Sequence, residues 1–126
     1  MTDRPIRTPG PDHPITVTPQ GGRVVIREGS RVVADSTAAL TLQESTYPAV
    51  QYVPLADVDA TLLEPSDHTT YCPYKGDAGY FSLRLADGSV AQDAVWTYRT
   101  PYDAVAEIEG LVAFYPDVVD VEVTPA

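Results

Sequence analysis

The only cysteine and the only lysine of this chain stand three residues apart, Cys72 and Lys75, while the other seven cationic side chains are all arginine. They lie in the stretch Thr-Tyr-Cys-Pro-Tyr-Lys-Gly-Asp-Ala-Gly-Tyr, residues 70–80. A thiol becomes a useful nucleophile when a neighbouring cation favours the thiolate. Pro73 and Gly76 are turn formers that let the amine fold back toward the sulfur. One reading is therefore a transferase-like enzyme working covalently through Cys72 or Lys75. Against it, cysteine packs readily as a small hydrophobe, and a cysteine nucleophile normally recruits a base from a distant part of the chain. His68 is the only histidine beyond residue 14. On the competing reading Cys72 is packing and Lys75 is the functional member, a counter-charge for a bound molecule.

Other chemistry is sparse. His68 and Cys72 could begin a metal site, but structural zinc wants four such ligands and no further cysteine or histidine follows. Asp57 and Asp59 form an Asp-x-Asp pair able to hold a divalent cation with phosphate oxygens, or simply to face solvent. The phosphate-loop, dinucleotide-binding and nucleophile-elbow glycine patterns are all missing from the sequence. No metal and no cofactor are expected.

The elements that must position these residues are short. Twelve prolines in 126 residues leave little room for long helices. Residues 1–14 hold four of those prolines with almost no apolar content, and are expected to form a mobile or surface-laid tail ahead of one β domain over 15–126. Arg23–Arg27 and Arg31–Asp35, β-branched and separated by Glu-Gly-Ser, predict a β-hairpin. Residues 38–44 alternate, with Leu40, Leu42 and Glu44 on one face. Glu44 thus extends an apolar face, and either twists out to solvent, meets a cation such as Lys75, or titrates at a raised pKa. Val50–Val53 is a strand stopped by Pro54. The span 55–67 lacks alternation and reads as a loop with at most one helical turn. Residues 80–85 and 94–99 predict two more strands, with a connection through Gln92 longer than a minimal hairpin. Thr100-Pro101 opens a helix of two turns at most, ended by Gly110, with Val105 and Ile108 inward. Leu111–Tyr115 is a further strand. Val119, Val121 and Val123 face in on a final edge strand. The sum is an all-β fold of about eight short, mostly antiparallel strands with one or two short helices.

Every aromatic side chain lies between Tyr47 and Tyr115. These rings either fill the core or line a pocket. In the second case Trp96 and Tyr98, which share a strand face, combine with Tyr80 and Tyr74 as walls. Lys75, Glu44 and Arg84 then supply polar groups for a planar or anionic metabolite. A third reading is a structural or partner-binding module that offers its last strand for β-addition. The oligomeric state is left open.

A formal charge of −10 and a pI near 4.3 oppose nucleic-acid and anionic-membrane binding, which need a basic surface. A lone cysteine requires no oxidising compartment, and neither a leader-like start nor a run long enough to span a bilayer is seen. A cytoplasmic protein is the expectation.

Several motifs occur together in order: Val33-Ala34-Asp35-Ser36, Leu42 with Glu44, Tyr52-x-Pro54-x-x-Asp57-Val58, Cys72-Pro73-x-Lys75-Gly76-x-Ala78-x-Tyr80, Trp96-x-Tyr98-x-x-Pro101 and Val112-Ala113-Phe114-Tyr115. In this the chain resembles domain-of-unknown-function family 427 from about Arg23 to Val123. The resemblance implies a mainly β, tent-like or partly open barrel arrangement, shared with methionine sulfoxide reductase B, the ligand-binding domain of cereblon and zinc-binding Rab accessory proteins. The paired-cysteine zinc of some of these does not transfer to a chain with one cysteine, and fold likeness does not transfer chemistry. A nucleotidyltransferase label is also attached to the family, but the Gly-Ser and paired aspartates of the usual metal-dependent mechanism are missing here.

Overall fold

The computed structural model describes residues 5–125. Among these the backbone forms ten strands: β1 (Ile15–Pro19), β2 (Arg23–Glu28), β3 (Arg31–Ser36), β4 (Leu40–Glu44), β5 (Val50–Tyr52), β6 (Leu63–Cys72), β7 (Gly76–Arg84), β8 (Val90–Thr97), β9 (Val112–Phe114) and β10 (Asp120–Thr124). They pair antiparallel in three sheets, ordered β1-β4-β5, β10-β2-β3 and β6-β7-β8-β9. A single bridge from Val53, just past β5, to Val112 of β9 ties two of the sheets together, and another holds Val58, between two short helical turns, against Ala34 of β3. No sheet closes into a barrel among the described residues.

The sheet β6-β7-β8-β9 is the middle layer, because its strands bury side chains on both faces. Leu83, Val95 and Phe114 pack on one side with Val24, Ile26 and Val33 of the β2-β3 hairpin. Ala78, Tyr80, Tyr98 and Ala113 pack on the other with Leu42 and Tyr52. The buried side chains thus form two cores on opposite faces of one sheet, the aliphatic one completed by Phe114 and the other richest in tyrosine.

Four local expectations need correction. The segment expected to be a loop through Asp67 holds two single-turn 3-10 helices, Leu55–Asp57 and Ala60–Leu62, and then the first half of β6. Since β6 has one neighbour, its outer side demands no apolar alternation and tolerates Pro65. The connection before β8 is also shorter than expected: β8 starts at Val90, after a turn closed by Leu85 and Ser89, with Gly88 at φ 88°. Val121 and Val123 are exposed at 37% and 44%, and only Val119 is buried. Finally, the expected helix is a 3-10 segment, Asp103–Ile108, preceded by Tyr102 with no side-chain cap, so Thr100 does not start it. Val105 and Ile108 do face inward, and Gly110 follows at φ 74°.

Residues 5–14 lie against the rest of the chain. The Arg7 amide donates to the Pro73 carbonyl at 2.9 Å, the Tyr71 hydroxyl to the Pro5 carbonyl at 2.7 Å, and the Ser45 amide to the Pro14 carbonyl at 2.8 Å. The expectation for residues 1–4 lies outside the described residues.

Candidate functional site

The Cys-Pro-Tyr-Lys-Gly stretch is the turn between β6 and β7. Cys72 pairs with Gly76 across it, and the Lys75 amide donates to the Cys72 carbonyl at 3.2 Å. Gly76 takes φ 105°, a conformation that side chains resist. This kink reverses the chain so that Lys75, 9% exposed, points inward rather than into solvent. The Tyr102 amide donates to the Lys75 carbonyl at 3.0 Å and fixes the turn against the segment after β8.

Lys75 Nζ donates to Glu44 Oε1 at 2.5 Å. Glu44 ends β4 on the same face as Leu42, so the sequence parity that carried it toward the core delivers it to the lysine. Its other oxygen, Oε2, lies 2.8 Å from His13 Nε2. His13 in turn stacks on Tyr74, with ring centroids 4.2 Å apart and 8° between planes. Burial opposes ionisation of Glu44, but the hydrogen bonds and charges of Lys75 and His13 together outweigh it, and its carboxyl titrates below the ordinary carboxylate range. The ammonium also approaches Cys72 Sγ at 4.0 Å and stands 6.0 Å from the centre of the Tyr98 ring.

Above this pair opens a hollow of about 190 Å³, lined by Leu42, Glu44, Tyr47, Pro48, Val50, Tyr52, Lys75, Tyr80, Trp96, Tyr98 and Tyr115. The Trp96 ring is one wall, tilted against Tyr115 at 4.6 Å and edge-on to Tyr52 at 6.3 Å. Trp96 Nε1 donates to the Tyr52 hydroxyl at 3.1 Å, which leaves the Tyr52 proton free to donate. Burial pushes the Tyr52 and Tyr115 phenols up to about 12, and Tyr98 well above the ordinary phenol range. These hydroxyls remain protonated donors at any neutral pH. The hollow therefore offers flat apolar walls, phenolic and ammonium donors, and one carboxylate acceptor already engaged by two cations or N–H groups.

Of the residues singled out from sequence, Glu44, Lys75, Tyr80, Trp96 and Tyr98 meet here, with Cys72 just behind Lys75. Tyr74 does not line the hollow; it faces residues 5–14, with its ring on His13. Arg84 is elsewhere too, exposed at the end of β7 and paired with Glu64 at 3.0 Å. Tyr47, Tyr52, Tyr115 and His13 went unrecognised. Tyr52 carried a signal, since it shares strand parity with Val50, whereas His13 sits in a proline-rich stretch with no periodicity. The Asp-x-Asp pair is spent on structural bonds: Asp57 accepts from the Ser36 hydroxyl of β3 at 2.7 Å, and Asp59 from the Thr61 amide and hydroxyl. His68 lies on a strand and tilts against Tyr80 at 4.7 Å. No group of three or more metal-ligating side chains occurs among the described residues, and no helix there is long and apolar enough to cross a membrane.

No curated protein matches the chain. A family profile described as a domain of unknown function, DUF427, matches residues 16–125, which takes in strands β2 to β10 entire and nearly all of β1. The site residues of β4 to β9 all fall inside that span, while His13, the third member of the Glu44 cluster, falls outside it. The chain belongs to the DUF427 family.

Proposed function

We propose that the chain is a binding module for a small planar molecule with a hydrogen-bonding edge. The observation that carries this reading is the convergence of Glu44, Lys75, Tyr80, Trp96 and Tyr98, from β4, the β6–β7 turn, β7 and the end of β8, on one hollow of about 190 Å³. Ligand sites are typically apolar concavities with a few placed polar groups, and this one matches that description. A planar ring stacks on Trp96 while its edge meets tyrosine donors, the Lys75 ammonium and the Glu44 carboxylate. Between a planar and an anionic ligand, the ion pair favours the planar one. Lys75 is already neutralised by Glu44 at 2.5 Å, so a carboxylate or phosphate must compete with Glu44 for the ammonium and leaves that half-buried carboxylate with His13 as its remaining partner. A neutral ligand bearing both a donor and an acceptor inserts without breaking the pair.

Thermal-shift and NMR titration of nucleobases, pyridine carboxamides and aromatic carboxylates tests this. Planar amides are expected to bind, Trp96→Leu to weaken them about tenfold through loss of stacking, and Lys75→Met to alter selectivity between neutral and anionic compounds. An unchanged response in both variants would sink the assigned site.

One observation favours a covalent enzyme as the second reading, the 4.0 Å approach of Lys75 Nζ to Cys72 Sγ. It predicts fast labelling of Cys72 by iodoacetamide near neutral pH. A rate no higher than that of the urea-unfolded chain removes it.

A further inference from the structure

The hollow has a neighbour that the reading above does not use. Beyond Trp96 and Pro48 lies a second concavity of about 420 Å³, shared with the first through Glu44, Tyr47, Pro48, Val50 and Trp96. Its own contributors are chiefly apolar: Ile26, Ala49, Phe114, Pro116 and Val121, with Gln51 at the side. The two differ in chemistry. The first collects the ammonium, the carboxylate and the buried phenols; the second collects aliphatic and aromatic carbon and has only Glu44, at the shared rim, as a charged side chain. The rim of the two is an unusual stretch of surface for a chain with net charge −10: Tyr47, shared by both, is 59% exposed, Tyr115 on the first 39% and Val121 on the second 37%. Aromatic and aliphatic side chains standing in water around one depression mark a binding surface.

The geometry points to an amphiphilic ligand, a planar polar head seated at Lys75 and Glu44 that carries an aliphatic substituent laid over Trp96 into the groove between Ala49 and Val121. This deepens the proposed function and rests on it. The occupant is a small molecule rather than a partner's side chain because the groove is continuous with a polar hollow buried behind it, which a small molecule can enter and fill together with the groove. It also explains the exposed valine of β10. Val121 pairs with Ile26 across the β10–β2 register, and its side chain contributes to the groove wall, so an apolar residue on an outer strand has a use there.

The test is a matched series on the full chain, benzamide and its 4-methyl, 4-butyl and 4-hexyl derivatives, followed by NMR titration and calorimetry. Benzamide is the head alone: its N–H groups suit Glu44 and its carbonyl suits the tyrosine and lysine donors. Binding is expected to tighten by roughly two- to fourfold per methylene over the first several carbons, the gain expected for burying each one. Val121→Asp and, separately, Ala49→Glu are expected to abolish that chain-length gain while benzamide itself binds as before. Both positions are at the surface, so the fold is retained, and a thermal melt checks it. Benzamide binding with no gain on lengthening, or a gain that both variants leave intact, overturns the groove assignment and leaves the head site standing. Failure of benzamide and of every derivative overturns the head site and this inference with it.

Discussion

Glu44 is the residue on which the site turns, since it joins β4 to the β6–β7 turn through Lys75 and to residues 5–14 through His13. Both partners of the Lys75 pair are largely buried, with side chains 11% and 17% exposed, and removing one partner of such a pair leaves the other's charge stranded. Glu44→Gln is therefore expected to lower stability by about 2–4 kcal/mol, read by urea unfolding, whereas Glu64→Gln, in the exposed pair with Arg84, is expected to change it by less than about 1 kcal/mol. The pH dependence follows from the direction of the Glu44 shift. Its folded pKa is depressed, so its contribution is complete above the ordinary carboxylate value and is lost as pH falls through the folded value. The stability gap between the parent and Glu44→Gln should accordingly narrow on acidification; a gap that stays constant contradicts the assigned pair. The raised phenols act at the other end of the scale. Below the ordinary phenol pKa neither state ionises; above it the unfolded chain ionises first, because Tyr52 and Tyr115 are raised to about 12 in the fold. Stability should fall as pH climbs through that window, with phenolate absorbance appearing together with loss of structure.

At the level of elements, the β6–β7 turn aims the lysine, and its glycine is the sensitive point. An alanine Cβ at Gly76 meets nothing nearer than the Thr100 carbonyl at 3.5 Å, so the penalty is backbone strain at φ 105°, not collision. Gly76→Ala is expected to cost about 1–2 kcal/mol and to displace Lys75 from Glu44. Gly79→Ala provides the contrast. There a Cβ falls 2.0 Å from Arg99 Nη1, the mobile end of an exposed side chain that also rests 5.6 Å from the Phe81 ring. Arg99 has room to swing away, so Gly79→Ala should perturb stability less than Gly76→Ala and leave the Lys75 environment, followed by its NMR side-chain shifts, unchanged. The reverse order of effects contradicts this account of the turn. Residues 5–14 behave as an accessory to the same turn: they lie outside the DUF427 span, yet bring His13 onto Glu44 and Tyr74.

Across the whole molecule, 18 acidic against 8 basic side chains make self-repulsion a constant term. Raising ionic strength from low to physiological screens charges beyond about 8–10 Å, and should raise the melting temperature even though it weakens the exposed arginine pairs. A melting temperature that falls with added salt would show that the surface ion pairs outweigh the repulsion.

The hairpin β2–β3, the inward parity of Leu42 and Glu44, and the strands carrying Tyr80 and Trp96 were legible from sequence because each depends on period-two patterning and nearby turn residues, which act over a few positions. Which residues are buried on outer strands was not. On β6 and β10 one side lacks a neighbour, so Pro65 is tolerated, Val121 stays exposed, and alternation no longer reports burial. The site divides along the same line. Residue types and strand parity determined that a lone lysine, a lone tryptophan and a carboxylate continuing an apolar face were present, and left that carboxylate to turn out to solvent, meet a cation or hold a proton. Only the tertiary structure decided that Lys75 is that cation, that Arg84 and Tyr74 are spent elsewhere, and that His13, Tyr47, Tyr52 and Tyr115 join the cluster. Glu44 and Lys75 are 31 positions apart, and nothing in local propensity sets which distant strands pack face to face. That choice belongs to the burial of two cores on opposite sides of one sheet, a property of the folded chain as a whole.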